Sequence, residues 1–248
     1  MSDSAQFALI QGASGGVGRA LVERALSSGR FERLFVTSRS ATSLMDWGDE
    51  RVTPIELDLS SDESISAAAE RVIASCPHLN LLITTAGLLH DEARGISPEK
   101  RLSQLKRSSL EALFEVNCYG PFLWYQALMP LLRHRAPLKL ATLSARVGSI
   151  SDNRLGGWYG YRASKAAQNM MTKTLSLELA RQSPQSVVVG LHPGTVQTEL
   201  SAPFQARVPP ERLFSPERSA AALWSVLEAL TPEQSGRCFA WDGSEISP

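Results

Sequence analysis

The segment Phe7-Ala8-Leu9-Ile10-Gln11-Gly12-Ala13-Ser14-Gly15-Gly16-Val17-Gly18 decides the fold of this chain. Its first four residues are an apolar run typical of a buried strand, and a helical pattern follows from Val17 to about Gly29. A glycine turn between a strand and a helix lets the backbone approach a pyrophosphate, and the free N–H groups at the helix start favour its negative charge. A tight turn that binds nothing has the same pattern, so both interpretations stay open. The candidate binding residues are Gly12, Ser14, Gly16, Val17 and Gly18.

Strand-like and helix-like segments alternate along the rest of the chain. The apolar runs typical of further strands are residues 33–37, 52–57, 79–85, 138–143, 187–191 and 237–241. These runs are too apolar for a sheet with one solvated face, so the pattern predicts an α/β fold: a doubly wound parallel sheet of the Rossmann type, with helices on both faces. No linker, repeat or change in composition divides the sequence. We therefore expect a single domain over residues 1–248.

Three helix starts carry a sequence signal. The residues with these signals are Ser60 with Glu63, Ser108 with Glu111, and Ser215-Pro216. The first two pairs have the spacing of a capping box, and proline suits the first turn of a helix. The helix expected from Ser108 continues to about residue 132 and should bend or locally break at Gly120-Pro121.

The composition excludes several classes of protein. The 248 residues carry 25 basic and 25 acidic side chains, so no basic surface for nucleic acid is indicated. Cys76, Cys118 and Cys238 are odd in number and far apart, which argues against a disulfide framework or a zinc site. Neither a signal peptide nor an apolar stretch of the roughly 18 residues that span a membrane is visible. We expect a cytoplasmic protein without a metal, nucleic-acid or membrane partner.

Tyr161 and Lys165 are the candidate catalytic pair. They are four residues apart at the start of a helical run, so their side chains lie on one face, about one turn apart. A phenol has a pKa of about 10, and a fixed ammonium lowers this pKa toward the range in which the phenol can give and take a proton. Tyr159 has no lysine at this offset. The same Y-x-x-x-K spacing is also typical of a solvated helix face.

These motifs together resemble those of the short-chain dehydrogenase/reductase family over residues 7–241. The matching residues are Gly12, Gly16, Gly18, Asp58, Ala86-Gly87, Asn117, Tyr161, Lys165, Pro193-Gly194 and Thr198. Residues 144–165 are most similar to the branch that contains the C-factor and sniffer-type carbonyl reductases. The resemblance implies hydride transfer between a nicotinamide cofactor and a carbonyl or alcohol substrate.

The resemblance also implies a role for each matching residue. Tyr161 would exchange a proton with the substrate oxygen. Lys165 would hold the nicotinamide ribose and lower the pKa of Tyr161, and Asn117 would hold a water that relays protons to Lys165. The remaining cofactor contacts would be made by Asp58 and Leu59 at the adenine, Ala86 and Gly87 at the adenosine side, and Pro193, Gly194, Val196 and Thr198 at the nicotinamide. His192, beside the last group, is interpreted as a structural residue.

The end of the second strand, Ser38-Arg39, indicates which cofactor is bound. In a dinucleotide site this position faces the adenosine ribose, where a carboxylate selects a free 2′-hydroxyl and an arginine suits a 2′-phosphate. This chain has an arginine and no acid there, which favours NADP(H). The alternative is that Arg39 is an ordinary exposed arginine.

Two positions depart from the family pattern. This chain has Thr84-Thr85-Ala86-Gly87 where the family has Asn-Asn-Ala-Gly. The contact that an asparagine makes between strands in the family is therefore either lost or made by threonine hydroxyls. The family's catalytic serine corresponds to Ala145, three residues before Gly148. Ser144 is one residue earlier, so strand alternation points it away from the substrate unless a bulge turns it inward. Ser144 is the first candidate and Ser149 the second, and the third possibility is that no serine takes part.

We expect an NADP-dependent carbonyl reductase for a small or medium apolar substrate. The substrate interpretation rests on the 199–214 loop, which is expected to close over the site and contains Leu200, Phe204, Val208 and Leu213. From a different class, the alternative is a dinucleotide-binding signalling or scaffold protein with little turnover. Family analogy predicts a homo-oligomer, a dimer or tetramer. Phe122, Trp124 and Tyr125 are interpreted as its exposed aromatic surface.

Overall fold

The computed structural model describes residues 5–40 and 47–248, in which strands and helices alternate. The strands are β1 (Phe7–Gln11), β2 (Arg33–Ser38), β3 (Val52–Glu56), β4 (Leu81–Thr84), β5 (Leu138–Leu143), β6 (Ser186–His192), β7 (Thr195–Val196), β8 (Leu213–Phe214), β9 (Cys238–Ala240) and β10 (Glu245–Ile246). The helices are α1 (Gly16–Ser27), α2 (Asp62–Ile73), α3 (Arg107–Phe114), α4 (Gly120–Ala127), α5 (Met129–Leu132), α6 (Tyr159–Ala180) and α7 (Pro216–Ala229). A π-helical turn, Glu115–Tyr119, joins α3 to α4. Residues 1–4 and 41–46 of the expected domain lie outside the described part of the chain.

Eight strands form one sheet in the order β3-β2-β1-β4-β5-β6-β9-β10. Every pairing in it is parallel except that of β10 with β9. Helices α1 and α7 cover one face, and α2, α4 and α6 cover the other, each over its own cluster of buried side chains. The doubly wound, Rossmann-type sheet predicted from the sequence is confirmed. Because the strands are parallel, the segments that follow β1, β4, β5 and β6 meet at one edge of the sheet.

The strand bounds differ little from those expected. β5 has the predicted bounds, whereas β4 is shorter than the predicted 79–85. The short β10 was not predicted, because two residues are too few for a periodic pattern; it follows a turn at Gly243, whose φ is 81°. Strands β7 and β8 pair with each other outside the main sheet and close the base of the 199–214 loop.

Of the three helix starts predicted from the sequence, one is confirmed and two are wrong in detail. Ser215 accepts a hydrogen bond from the Arg218 N–H at 3.2 Å and so caps α7, as predicted. The cap of α2 is Ser61 rather than Ser60, whose hydroxyl donates instead to the Asp58 carboxylate at 2.7 Å. Helix α3 begins at Arg107 without a side-chain cap, so the predicted box at Ser108 is wrong. Ser60 and Ser61 are adjacent, and spacing alone does not select between them. At α3 the cap position is Lys106, so Ser108 lies inside the helix.

The long helix predicted from residue 108 to 132 is divided into three. The π-helical turn interrupts it just before Gly120, where the helix passes against the chain at Leu59. A Cβ at Gly120 would lie 2.6 Å from the Leu59 carbonyl oxygen and 3.0 Å from that of Glu115. Trp124 and Tyr125 are 0% and 1% exposed, so the prediction that they form an exposed surface is wrong. They face the sheet, where the Tyr125 hydroxyl lies 2.7 Å from that of Thr142.

Cys76, Cys118 and Cys238 are buried and free. Among the described residues, no helix is both long and apolar enough to cross a membrane. In the same part of the chain, no group of three or more histidine, cysteine, aspartate or glutamate side chains is placed to hold a metal ion.

We predict that Gly120→Ala lowers the free energy of unfolding by about 1–3 kcal/mol, because the added methyl group meets backbone that cannot move aside. Urea unfolding monitored by circular dichroism measures the change. Ser108→Ala is the control: this exposed serine caps no helix, so its variant should unfold like the wild type. A Gly120→Ala protein as stable as the wild type would contradict the close approach to Leu59.

Candidate active site

The glycine turn packs tightly against the end of β4. Gly12 has a φ of 83°, and a Cβ there would clash with the Thr85 hydroxyl. That hydroxyl donates to the Gln11 carbonyl at 2.8 Å, so the tie between β1 and β4 is made by a threonine. A Cβ at Gly18 would clash with the Gly12 carbonyl. The turn is thereby held open at Ser14-Gly15-Gly16, which is exposed at the start of α1.

Polar side chains surround the ends of β2 and β3, next to the turn. The hydroxyls of Ser14 and Ser38 lie 2.9 Å apart, which links the glycine turn to the end of β2. Asp58 accepts hydrogen bonds from the N–H and the hydroxyl of Ser60, at 2.9 and 2.7 Å. The Ser60 N–H holds the pKa of Asp58 below its ordinary value, and the positive charge of Arg39 acts in the same direction. Arg39 is exposed at the same edge of the sheet.

Asn117 lies in the π-helical turn and is fully buried. Its Oδ1 accepts from the Leu88 N–H at 2.7 Å, and its Nδ2 donates to the Leu88 carbonyl at 2.8 Å and to the Ser164 hydroxyl at 3.0 Å. The side chain therefore ties the segment after β4 to helix α6. π-Helical turns occur frequently at functional sites, because they change the direction of a side chain within a helix.

Tyr161 and Lys165 lie in the first two turns of α6 and are both buried, so the interpretation as a solvated helix face is wrong. The Lys165 Nζ lies 6.0 Å from the centre of the Tyr161 ring. It donates to the Leu143 carbonyl at 2.7 Å and to the Gln168 Oε1 at 3.3 Å. Burial lowers the pKa of Lys165 to about 8.

The expected effect of Lys165 on Tyr161 is not found in this structure. Burial raises the pKa of the Tyr161 phenol above its ordinary value. The ammonium that was expected to lower this pKa is directed to the Leu143 carbonyl instead. Around the phenol lies an apolar cluster formed by Leu89, Ile96 and Leu113, with Leu88, Ala112, Ala145, Val147, Trp158, Leu200 and Phe204 packed against it.

The structure does not bring either serine candidate to Tyr161. The Ser144 N–H continues the ladder between β5 and β6 by donating to the Leu191 carbonyl at 2.8 Å, so no bulge turns its side chain inward. Its hydroxyl donates to Asn169 Oδ1 at 2.6 Å. Ser149 accepts from the Asp152 N–H at 3.1 Å, away from the strand end. Ala145 packs against the cluster that contains Tyr161, at the position of the family's serine.

Residues 193–198, which follow β6, lie at the same carboxyl edge of the sheet as the glycine turn. The Ser219 hydroxyl donates to the Pro193 carbonyl at 2.8 Å, and Gly194 has a φ of 78°. A Cβ at Gly16 would lie 3.2 Å from Thr198 Cγ2, so this segment reaches the glycine turn. Burial and the charge of Arg146 lower the pKa of His192 to about 4. The imidazole is therefore neutral near pH 7, and its buried Nδ1 has no hydrogen-bond partner among the described residues.

Glu99 was not found from the sequence. Its carboxylate is buried and accepts a hydrogen bond from the Gly160 N–H at 3.3 Å, and its carbonyl accepts one from the Trp158 N–H. Trp158 has a φ of 53°, and its ring centre lies 6.2 Å from that of Tyr161 and 4.9 Å from that of Phe204. Glu99 thus holds the start of α6, where an anion is favoured. Gly156-Gly157 was the available signal for an unusual turn, but nothing local indicated its partner.

Comparisons with known proteins agree with this geometry. A family model described as short chain dehydrogenase matches residues 6–208. The C-signal protein of Myxococcus xanthus is 34% identical over 145 residues, which cover 58% of this chain and 82% of that protein.

Two solved structures have the same fold over almost the whole chain. The NADPH-bound carbonyl reductase from chicken fatty liver has a TM-score of 0.86 and 25% identity, covering 98% of this chain and 94% of that one. The carbonyl reductase Sniffer of D. melanogaster has a TM-score of 0.85 and 23% identity, covering 99% and 100%, a likeness that shows a shared fold. The chain belongs to the short-chain dehydrogenase/reductase family of oxidoreductases, and its similarities lie with the C-signal and sniffer-type branch that its sequence predicts.

Proposed function

We propose that this chain is a cytoplasmic, NADP(H)-dependent carbonyl reductase in which Tyr161 is the acid and base. The observation that carries the proposal is a phenol buried in an apolar cluster one helical turn from a buried ammonium. The phenol keeps its proton at neutral pH and can give it to a carbonyl oxygen. Burial alone makes it a weaker acid by raising its pKa, so the proposed release of the proton depends on the positive charge of Lys165.

The residues at the edge of the sheet fit a nicotinamide dinucleotide, which supplies or accepts the hydride when bound. The fit rests on the glycine turn, in which a Cβ at Gly12 or Gly18 would clash and Ser14-Gly15-Gly16 is left exposed. The proposed binding residues are Gly12, Ser14, Gly16, Val17 and Gly18 for the pyrophosphate, Arg39, Asp58, Leu59, Ala86 and Gly87 for the adenosine side, and Tyr161, Lys165, Pro193, Gly194, Val196 and Thr198 for the nicotinamide side.

Three residues of the chain prepare the proton transfer. Tyr161 holds the proton at its hydroxyl, and its ring is packed in the apolar cluster. Lys165 presents a buried ammonium, and a cation there stabilises negative charge that develops on the phenol oxygen as the proton leaves. Asn117 fixes the segment at Leu88 against α6 and so sets the wall of the site. Its proposed second role, holding a water that relays protons to Lys165, is part of the same mechanism.

Ser144 and Ser149 have no place in the proposed mechanism, although both were candidates. Their hydroxyls are bonded to Asn169 and within the 149–152 turn. We propose instead that the Tyr161 hydroxyl alone binds the substrate oxygen. Ala145 leaves an apolar surface where a second donor would stand.

Arg39 supports the choice of NADP(H). It is exposed beside Asp58, at the edge that would face the adenosine ribose, and its charge acts on that carboxyl. The Asp58 carboxylate already accepts hydrogen bonds from the N–H and the hydroxyl of Ser60. An arginine in this place can make a charge-assisted hydrogen bond to a 2′-phosphate.

The proposed substrate is a small or medium apolar carbonyl compound. In the 199–214 loop, Leu200 and Phe204 pack against the cluster around Tyr161. A Cβ at Gly87 would lie 3.3 Å from Leu200 Cδ1, so the loop also lies close to the segment that follows β4. These contacts support a role for the loop as the wall of the substrate pocket, within one catalytic domain over residues 1–248.

The second candidate function is a dinucleotide-binding signalling or scaffold protein with little turnover. Ala145, in place of a catalytic serine, is the observation that favours it. The similarity to a protein named C-signal points in the same direction.

We also propose a homo-oligomer, a dimer or tetramer, as is common in the family. The buried Trp124 and Tyr125 no longer support it. Its support is a set of exposed large hydrophobic side chains on the π-helical turn, α4 and α6: Tyr119, Leu123, Tyr159, Met170, Met171 and Leu177. The free, buried cysteines agree with the proposed cytoplasmic location.

We predict that Tyr161→Phe lowers kcat by about 10²–10⁴, since it removes the proton that a general acid supplies, while NADPH binding is retained. The assay follows NADPH oxidation with a panel of aldehydes, ketones and quinones. Tyr159→Phe is the control, because Tyr159 is exposed on the same helix. Wild-type protein that binds NADPH but turns over nothing in the panel would favour the signalling or scaffold function. Activity retained by Tyr161→Phe would remove Tyr161 as the acid.

Arg39→Ala should weaken NADPH binding about ten- to a hundredfold and leave NADH binding unchanged, since a charged hydrogen bond to the 2′-phosphate contributes roughly 1.5–3 kcal/mol. Fluorescence titration with each cofactor measures both affinities. Arg33→Ala is the matched control, because Arg33 is exposed at the opposite end of β2. Equal NADPH affinity in wild type and Arg39→Ala would remove the argument for NADP(H).

Ser144→Ala and Ser149→Ala should each keep kcat within about threefold of wild type, because neither hydroxyl reaches the substrate oxygen. Loss of a true oxyanion donor typically lowers kcat by about 10²–10³. Steady-state rates of the two variants on one substrate, measured together, decide this point. A fall of that size in either variant would identify the missing donor and refute the proposal that Tyr161 acts alone.

A further inference from the structure

The Lys165 ammonium is buried among neutral groups. Among the described residues, its hydrogen-bond acceptors are the Leu143 carbonyl and the Gln168 side-chain oxygen, at 2.7 and 3.3 Å. Removing an ammonium from water is costly unless nearby dipoles replace the lost hydration. These two oxygens are therefore what stabilises the charge in this structure.

Gln168 lies three residues after Lys165 on the same helix and is fully buried. Its side-chain Oε1 is directed to Lys165, whereas its Nε2 has no partner among the described residues. An unpaired buried donor destabilises the folded protein, because it has lost its hydrogen bond to water. An apolar side chain would fill this position without that cost, so packing alone does not explain a glutamine here.

We propose that Gln168 is a positioning residue that holds the Lys165 ammonium against the Leu143 carbonyl and favours its charged form. The proposal rests on the proposed function, in which Lys165 supports proton transfer at Tyr161. Gln168 acts through Lys165 and touches neither substrate nor cofactor.

The other titratable groups that face Lys165 are neutral near pH 7. They are the Tyr161 phenol on the same helix, the Cys118 thiol from the π-helical turn and the Cys238 thiol from β9. Burial raises the pKa of each of them, that of Cys238 to about 11. None of the three therefore supplies a negative charge to the ammonium near pH 7, which leaves the Gln168 dipole as the side-chain contribution.

Two substitutions at Gln168 should move the pKa of Lys165 in opposite directions. Gln168→Leu removes an acceptor from the charged form, so the pKa falls by about one unit, the size expected for one such hydrogen bond. Gln168→Glu places a carboxylate beside the ammonium, so the pKa rises. If activity requires the charged lysine, the alkaline limb of the pH profile of kcat moves down by about one pH unit in Gln168→Leu and up in Gln168→Glu.

A measurement that needs no activity reads the same shift. The chain has five lysines, so ¹³C-labelled lysine gives five side-chain resonances whose pH titrations can be followed by NMR. Lys165→Met assigns the resonance of Lys165. Thr172→Val is the matched control: it removes a buried hydroxyl that donates to the Gln168 backbone carbonyl, one turn further along α6, and leaves the Lys165 contacts in place.

The expected result is a lower Lys165 pKa in Gln168→Leu, a higher one in Gln168→Glu and no change in Thr172→Val. An unchanged Lys165 pKa in both Gln168 variants overturns the inference, even if Tyr161→Phe has lost its activity. If the wild type proves inactive, the proposed function fails separately and the NMR titration still decides whether Gln168 holds the charge. If Gln168→Leu does not fold, Gln168→Glu alone decides. The inference is then overturned if the pKa of Lys165 is the same in Gln168→Glu as in wild type.

Discussion

The site depends on one constraint: a phenol and an ammonium, one helical turn apart, are both removed from water. Burial disfavours the charged form of each group, so it raises the pKa of Tyr161 and lowers that of Lys165. Both effects favour neutral groups, whereas an ion pair between the two would favour charged ones. The ammonium is directed to the Leu143 carbonyl, so in this structure burial outweighs the attraction between the pair. The phenol is left as a proton donor, which is what reduction of a carbonyl requires.

The fold holds this pair through contacts that come from three distant segments. Asn117 in the π-helical turn bonds to Leu88 and to Ser164 of α6. Glu99 holds the first turn of α6 through the Gly160 N–H. The last residue of β5, Leu143, supplies the carbonyl for Lys165. Each contact lies at the carboxyl edge of a parallel sheet or on a helix that packs there, so the topology of the sheet determines the geometry of the site.

The sequence predicted what repeats or follows a fixed spacing. The alternating apolar runs predicted the sheet, and the glycine turn and the Tyr161–Lys165 spacing predicted the edge at which the site lies. Contacts between distant segments could not be predicted in this way: Glu99 lies in an irregular segment about 60 residues before Gly160 and has no local signal. The exposure predicted for Trp124 is wrong because the sequence of one helix does not show which elements pack against it. The spacing to Lys165 predicted a lowered pKa for Tyr161, whereas burial raises this pKa, because spacing shows proximity but neither burial nor competing hydrogen bonds.

The ionisation of Tyr161 tests this constraint most directly. Of the four tyrosines, Tyr119 and Tyr159 are exposed, while Tyr125 and Tyr161 are buried with raised pKa values. An ultraviolet difference titration, with no dinucleotide added, compares wild type with Tyr161→Phe. We predict that the two curves coincide through pH about 10, because burial raises the pKa of Tyr161, the one phenol in which the two proteins differ, above its ordinary value. A phenolate signal near neutral pH that is present in wild type and absent from Tyr161→Phe would contradict the conclusion that burial controls this site.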